Sequence, residues 1–367
     1  MHLCDISLRD FRNYRELDLE FDPGVNLIAG NNAQGKTNLL EAIGYLGSGK
    51  SFRTQKTGEM LRFGADFAEL SGNVYSQERQ QNLRWVLFSG SRPRQLWRNG
   101  AKKKTAGEIS GVLSTVLFCP EDLMVLKAGS SARRRLGDQA LCQLRPNYEA
   151  ALTEYGRILD RKSRILKDRF ENPGLLDILP EYNARICQVG ALLISYRARF
   201  YEGLGKAAAA YHGSFSGGSE DFHLEYHTVS TIEDPFAPID ILRERLEEHL
   251  NLHYRAELES AQCLTGPHKD DFTVSLSGID LKAYGSQGQT RTAAISLKLA
   301  QRELMGSQSG QIPVLLLDDV LSELDPGRQD FVLNQISKGQ VFITCCEPGQ
   351  FTKLGKNITI QNGTVIL

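Results

Sequence analysis

Cysteine is scarce and poorly spaced for chemistry. The seven cysteines at 4, 119, 142, 187, 263, 345 and 346 are odd in number and contain no C-x-x-C pair, which excludes a disulfide framework and a cysteine zinc site. They are predicted to be reduced thiols, mostly in the core, with the adjacent Cys345 and Cys346 packing in a strand. Long apolar runs are also missing. None approaches the roughly 20 residues that cross a bilayer, and Met1-His2-Leu3-Cys4-Asp5 has neither the basic lead nor the apolar core of a signal peptide. The expectation is a cytoplasmic protein with no membrane partner. Net charge is nearly absent, with 43 basic against 44 acidic residues, so only local patches argue for or against a polyanionic partner. There is no internal repeat, low-complexity tract or long heptad run, and the last absence excludes a structural clamp built on coiled-coil arms. A length of 367 residues with 41% hydrophobic content suits about two domains.

What is present is organised around Gly30-Asn31-Asn32-Ala33-Gln34-Gly35-Lys36-Thr37, the Gly-x-x-x-x-Gly-Lys-Thr spacing of a phosphate-binding loop. Before it, Val25 to Ala29 reads as a short buried strand opened by the Pro23-Gly24 turn. After it, Leu39, Leu40, Ile43 and Leu46 recur at helical spacing. The loop therefore joins a strand to a helix N-terminus, where unpaired N–H groups and the helix dipole converge on an anion. Gly30 and Gly35 let the backbone wrap a phosphate, Lys36 brings a point charge to the β- and γ-phosphates, and the Thr37 hydroxyl suits Mg²⁺. Asn38 follows directly and completes the predicted ATP-binding set.

Upstream, Leu3 to Phe21 alternates in two runs around the turn Arg12-Asn13-Tyr14-Arg15, a hairpin leading into the loop. Arg12 either lies near the base or ribose of a nucleotide or is a solvated turn arginine. Residues 66–100 are again strand-like, with Asn99-Gly100 as a tight hairpin signal. Around it stand Arg92, Arg94, Arg98, Lys102, Lys103 and Lys104, with Trp97 among them and no acid. That is the composition of a backbone-contacting DNA surface, or else of a solvated charged turn. From about residue 130 to 260 the texture becomes helical. Arg133-Arg134-Arg135 there could line a polyanion surface, as could Arg157, Arg161, Lys162, Arg164, Lys167 and Arg169. A solvated helix face is favoured for the second group.

Strand texture returns after Gly266-Pro267-His268-Lys269-Asp270-Asp271, with Phe272, Val274 and Leu276 alternating. Val314-Leu315-Leu316-Leu317-Asp318-Asp319 then has the pattern of a Walker B strand. It is apolar as a buried parallel strand must be, and it ends in two carboxylates. Asp318 is predicted to hold the Mg²⁺ shell and Asp319 to position or deprotonate the attacking water. Between the two motifs, Ser286-Gln287-Gly288-Gln289-Thr290-Arg291 carries the Ser-x-Gly-Gln core of the ABC-type signature, and Ser322-Glu323-Leu324-Asp325 matches the D-loop. The predicted catalytic residues are Lys36, Ser286 and Asp319. Because the chain already encloses its nucleotide, Ser286 and Gly288 are expected to face ATP held by a second copy. An ATPase subunit of a membrane transporter would share all four motifs, but the large insertion and the basic hairpin argue against it.

With these motifs in this order, and with Leu8-Arg9-Asp10-Phe11-Arg12-Asn13-Tyr14, Pro120-Glu121-Asp122-Leu123 and the Gly266 to Asp271 segment outside them, the chain resembles the RecF family of bacterial DNA repair and replication ATPases across nearly its whole length. The resemblance implies an α/β ABC-type ATPase head, a P-loop NTPase sheet plus an antiparallel β subdomain, with an inserted mainly α-helical lobe. The head would take residues 1–128 and 262–367, and the lobe 129–261. It further implies ATP and Mg²⁺ as ligands and ATP-dependent dimerisation on single-stranded or gapped DNA. A weak DNA-dependent ATPase would serve as the switch, working with RecO and RecR to load RecA and supporting SOS induction. Where many ABC ATPases carry a switch histidine, this chain has Thr344, within Phe342-Ile343-Thr344-Cys345-Cys346-Glu347; a threonine-rich segment is usual in RecF-like proteins. No glutamine stands at the lid entry, for which Glu121 is the available residue.

Overall fold

Val25–Ala29 has four of its five residues buried, as suits a strand inside a parallel sheet covered on both faces. In the computed structural model, which describes residues 1–336, 338–346 and 353–366, this strand pairs in parallel with Val341–Cys345 on one side and Lys356–Gln361 on the other. Val314–Leu317 continues the sheet beyond Val341–Cys345, and Thr115–Phe118 follows it, both parallel. An antiparallel edge strand, Thr364–Ile366, completes six strands. All the parallel strands run the same way, so Ala29, Leu317 and Cys345 end at one edge, where a parallel α/β sheet places its ligand site.

A second, antiparallel sheet of seven strands is built from His2–Leu3, Asp5–Phe11, Tyr14–Glu20, Phe67–Ser76, Arg79–Phe88, Gln95–Arg98 and Ala101–Lys103. Asn99 and Gly100 turn the last hairpin with φ of 51° and 76°, the pair of positive values that a tight two-residue hairpin turn requires. Helix Lys36–Ser48 is apolar nearly all round. Leu39, Leu40, Ala42, Ile43, Tyr45 and Leu46 share one core cluster with Leu8 and Leu70 of the antiparallel sheet and Leu316 and Phe342 of the parallel one. Burial on all sides fixes this helix, and with it the loop that opens it.

The chain divides into one unit of Met1–Leu123 with Ala294–Leu367 and another of Met124–Ala293. The boundaries expected at 128/129 and 261/262 thus differ from those observed at 123/124 and 293/294, the second by a whole strand system. Strand Asp271–Leu276 pairs along its length with Phe222–His227, a strand hidden in the sequence by the helical texture around it. The helices of this unit are Ser130–Leu144, Pro146–Asp168, Leu179–Ser216 and Ile239–Ser260, with the short Leu281–Tyr284 and the start of Gln287–Ser309.

Several basic residues expected at a surface are inside this unit. Arg133 is 1% exposed and forks onto Asp271; beside it Arg197, for which the sequence carried no expectation, bridges Asp138 and the fully buried Asp270. Lys162 is fully buried and pairs with Glu257 at 2.6 Å, and Arg169 is buried too. Arg157, Arg161, Arg164 and Lys167 remain exposed on the same helix. The Gly266 to Asp271 segment is therefore an internal fastener. Its His268 accepts the Tyr155 hydroxyl at Nδ1 (2.7 Å) and donates from Nε2 to the Cys263 carbonyl (3.0 Å).

Burial pushes the His268 imidazole down to about 4. An unfolded histidine titrates near 6.5, so the unfolded chain binds the extra proton first as pH falls. Stability from this group is complete above about pH 6.5 and drains as pH falls through that window toward 4. Urea unfolding should show the wild type losing about 2.5 kcal/mol more than His268→Gln between pH 7 and 4.5. Equal losses would mean that the ring titrates normally.

Candidate nucleotide site

The loop after Ala29 is shaped by contacts that no local pattern reveals. Gly30 has φ 154°, and a Cβ there would lie 2.3 Å from the Ile360 carbonyl oxygen; Gly35, at φ 119°, would drive one into Asn13 and the Tyr14 hydroxyl. Glycine is required at both positions. Between them Ala33 also takes a positive φ of 65°. The Tyr14 hydroxyl donates to the Gly35 carbonyl at 2.9 Å, and Asn13 Nδ2 donates to the Gln34 carbonyl at 2.9 Å. Asn38 Nδ2 returns a bond to Asn13 Oδ1, and the backbone N–H groups of Asn362 and Gly363 donate to Gln34. The upstream hairpin and the C-terminal hairpin thus strap the loop from two sides.

Lys36 is 4% exposed, and its ammonium donates to the carbonyls of Gly30 (2.7 Å) and Asn31 (3.2 Å), folding back into the loop it terminates. Helix Lys36–Ser48 has no side chain capping its N-terminus, which leaves its first N–H groups directed at whatever the loop encloses.

The Walker B carboxylates arrive at the same edge. Asp318 Oδ1 accepts from the Thr37 hydroxyl and from the Thr344 hydroxyl, each at 3.0 Å, so one helix start and two strand ends meet at one oxygen. Burial raises the Asp318 carboxyl above its ordinary range, and nearby Asp319 adds to this; the bonds from Thr37 and Thr344 oppose it. A carboxylate so placed, with a hydroxyl alongside, is a hard-oxygen donor set of the kind that takes a divalent cation. Asp319 takes φ 51°, and its N–H donates to Thr344 Oγ1 at 2.8 Å. The Thr344 hydroxyl thus bonds the Asp318 carboxylate and the Asp319 backbone, tying the two acids to the neighbouring strand. Glu347, at the end of that segment, lies outside the described residues.

Two expectations change. Arg12 is not a solvated turn residue: its guanidinium forks onto Glu41 at 2.7 and 2.8 Å and reaches the Glu59 carbonyl. Glu41 is fully buried on helix Lys36–Ser48; its only sign in the sequence is a lone acid within Leu39-Leu40-Glu41-Ala42-Ile43. Cys346 does not pack in a strand. It is exposed beside the loop, its Sγ 3.7 Å from Lys36 Nζ and donating to Asn32 Oδ1.

In the other unit, exposed Ser286 begins helix Gln287–Ser309; Gln287, Gly288 and Gln289 fill its first turn and Arg291 its second. Asp325 caps helix Pro326–Gln335 through the Arg328 N–H and pairs with the Arg328 side chain. Glu121 lies exposed in the single turn Pro120–Met124.

The basic hairpin is less available than its composition suggests. Arg94 bonds the Tyr45 hydroxyl and the Gly49 carbonyl and lies over Trp85. Arg98 is bound to Gln81 and the Glu108 carbonyl, and Lys103 stands 3.9 Å from Glu108. Arg98 thus ties two strands of the sheet, Arg94 ties the hairpin to helix Lys36–Ser48, and Lys103 faces the turn at Glu108. Arg92, stacked on Phe88, Lys102 and Lys104 are exposed, and so is Arg94 despite its bonds. Among the described residues no helix is long and apolar enough to cross a membrane.

Residues 2–365 match the family described as RecF/RecN/SMC N terminal domain. The DNA replication and repair protein RecF of Agathobacter rectalis is 38% identical over 361 residues, covering 96% of this chain and 94% of that one; RecF of Acetivibrio thermocellus is 35% identical over 98% of both. The solved structure of the recombination mediator protein RecF-ATP in the RecFOR pathway superposes with a TM-score of 0.91 at 34% identity, over 99% of this chain and 96% of that one. An Smc head domain from Pyrococcus furiosus, at 16% identity and a TM-score of 0.56, shares the fold. Full-length similarity on this scale, joined to a phosphate loop and a Walker B strand that meet at Asp318, shows that the chain belongs to the RecF family of DNA replication and repair proteins.

Proposed function

We propose that the chain is an ATP-switched DNA-binding protein of recombinational repair and replication restart, dimerising on single-stranded or gapped DNA when ATP is bound. The observation that carries this reading is the meeting of Thr37, Thr344 and Asp318 at one carboxylate oxygen. It joins the phosphate loop to the acid strand in a geometry that suits a nucleoside triphosphate. The solved recombination mediator RecF-ATP in the RecFOR pathway supports ATP as the ligand and the RecFOR pathway as the context, within which the chain would work with RecO and RecR to load RecA. The same reading includes support of SOS induction and a cytoplasmic location. Membership of the family over the whole chain leaves the transporter alternative without an observation in its favour.

In this reading the phosphates lie against the first N–H groups of helix Lys36–Ser48, and Lys36 turns from its carbonyl partners to the β- and γ-phosphates. Thr37 and Asp318 would hold Mg²⁺, which when bound neutralises charge on the phosphate oxygens. Asp319 accepts a proton from, or orients, the water in line with the γ-phosphate, its position set by the bond to Thr344. In this reading turnover is slow, so that ATP persists long enough to hold the two copies together. Ser286, Gly288 and the helix start at Gln287 close on the γ-phosphate of a second copy, with Asp325 of the D-loop near the same seam.

Arg92, Lys102 and Lys104 are the exposed hairpin cations not tied to the helix or to another strand, and they are the ones that would contact DNA phosphates. Replacing all three with glutamate should weaken DNA binding and lower the slope of log affinity against log salt by about 2, as expected when up to three phosphate contacts are lost. Binding to single-stranded, duplex and gapped DNA would be measured with ATP, ADP and no nucleotide. An unchanged slope returns the hairpin to a solvated turn, and equal affinity in every nucleotide state removes the switch.

A further inference from the structure

The signature segment opens its helix with a reciprocal cap. Ser286 Oγ accepts the Gln289 N–H at 3.2 Å, while the Ser286 N–H donates to Gln289 Oε1 at 3.1 Å. Each side chain thereby satisfies a backbone donor that the helix cannot. The cap forms only when the Gln289 carboxamide is turned with its oxygen toward Ser286, and the two ends of an amide are nearly equal in shape. A carboxylate sets the turn: Gln289 Nε2 donates to Glu220 Oε1 at 2.7 Å. Glu220 can only accept, so it takes the NH₂ end and leaves the oxygen for Ser286.

Glu220 is itself held. Its other oxygen stands 2.9 Å from Nε2 of His212, a fully buried residue of helix Leu179–Ser216. The His212 Nδ1 has no hydrogen-bond partner among the described residues, so the ring's one polar contact there is to Glu220. The bond from Gln289, and next the bond from His212, hold the Glu220 carboxyl below the usual range. Glu220 lies just past the helix end, where Gly217 takes a left-handed φ of 62°, and just before strand Phe222–His227.

We infer that Glu220 is a positioning residue for the signature, a clamp through which helix Leu179–Ser216 fixes the orientation of Gln289 and hence of Ser286. Its consequence for dimerisation rests on the reading of Ser286 as the surface that meets a second copy's ATP. With Gln289 Nε2 and Oε1 both engaged, the Ser286 hydroxyl accepts from Gln289 and keeps its own proton for a phosphate oxygen. Without the clamp the amide is free to flip, and Ser286 loses half of its cap.

Glu220→Ala should leave ATP binding by the monomer unchanged. It should speed hydrogen exchange at the Ser286 and Gln289 amides in nucleotide-free protein, and weaken the ATP-dependent dimer, by about tenfold each, the scale of one lost cap. Gln289→Glu sets two carboxylates against each other and should lose more of the dimer. Adding Glu220→Gln to Gln289→Glu swaps donor and acceptor: the new amide accepts from His212 and donates to the new carboxylate, which still accepts from Ser286. This double variant should recover most of the lost dimer affinity and slow the exchange again, which general destabilisation would not do. Unchanged exchange in Glu220→Ala, or a double variant no better than Gln289→Glu alone, would overturn the clamp. A wild-type protein that stays monomeric in ATP overturns the sandwich instead, and the exchange data in nucleotide-free protein still decide the clamp.

Discussion

A Lys36→Arg protein should still bind ATP but hydrolyse it on the order of a hundredfold more slowly than wild type, the scale of one lost charge-stabilising donor. The ammonium of Lys36 fits inside the loop because it is compact, held between the Gly30 and Asn31 carbonyls. A guanidinium is longer, planar and fixed in its fork, so it cannot occupy that space and also meet the β- and γ-phosphates as a point charge. The loop itself should survive, since its shape comes from Gly30, Gly35 and the straps at Asn13, Tyr14 and Gln34, none of which depends on Lys36. Phosphate release in the presence of DNA and binding of a fluorescent ATP analogue together measure both halves of the expectation. Wild-type turnover would remove Lys36 from the catalytic role.

Dimerisation should separate two further variants in opposite directions. Ser286→Arg should bind ATP as a monomer and fail to dimerise, because its long charged side chain occupies the exposed helix start proposed to close on the second copy's γ-phosphate. Asp319→Asn should bind ATP and accumulate as the dimer, with hydrolysis slowed on the order of a hundredfold when the acceptor for the water proton is lost. Asparagine suits this test because it tolerates the positive φ of 51° at that position and retains the N–H bond to Thr344, so the chemistry changes while the backbone does not. ADP should not support the dimer in any variant, since a ligand shifts an equilibrium only by the difference in its affinity for the two states, and the γ-phosphate is the group both surfaces share. Sedimentation in ATP and in ADP reads the dimer in each variant, and phosphate release reads the slowed hydrolysis. A Ser286→Arg protein that dimerises with ATP, or a wild type equally dimeric in ADP, would sink the sandwich.

By itself the sequence determined the loop at Gly30 to Thr37, the strand before it, the helix after it, the Walker B strand, the signature helix and the Asn99-Gly100 hairpin. Each rests on short-range physics: glycine where φ must be positive, apolar residues at a spacing of two or of 3.6, and a carboxylate or hydroxyl just past an element's end. The tertiary structure alone decided what the charged residues do. Arg12 looked like a turn residue until Glu41 met it from the buried helix, and Arg94, Arg98, Arg133 and Lys162 are spent on partners distant in sequence. A charge run has the same composition whether it faces water, DNA or a buried carboxylate, and only the segment that packs against it distinguishes these. The same holds for Phe222–His227, a strand because Asp271–Leu276 lies beside it, and for Thr344 and Glu220, whose roles exist only where separate strand ends and helix ends converge.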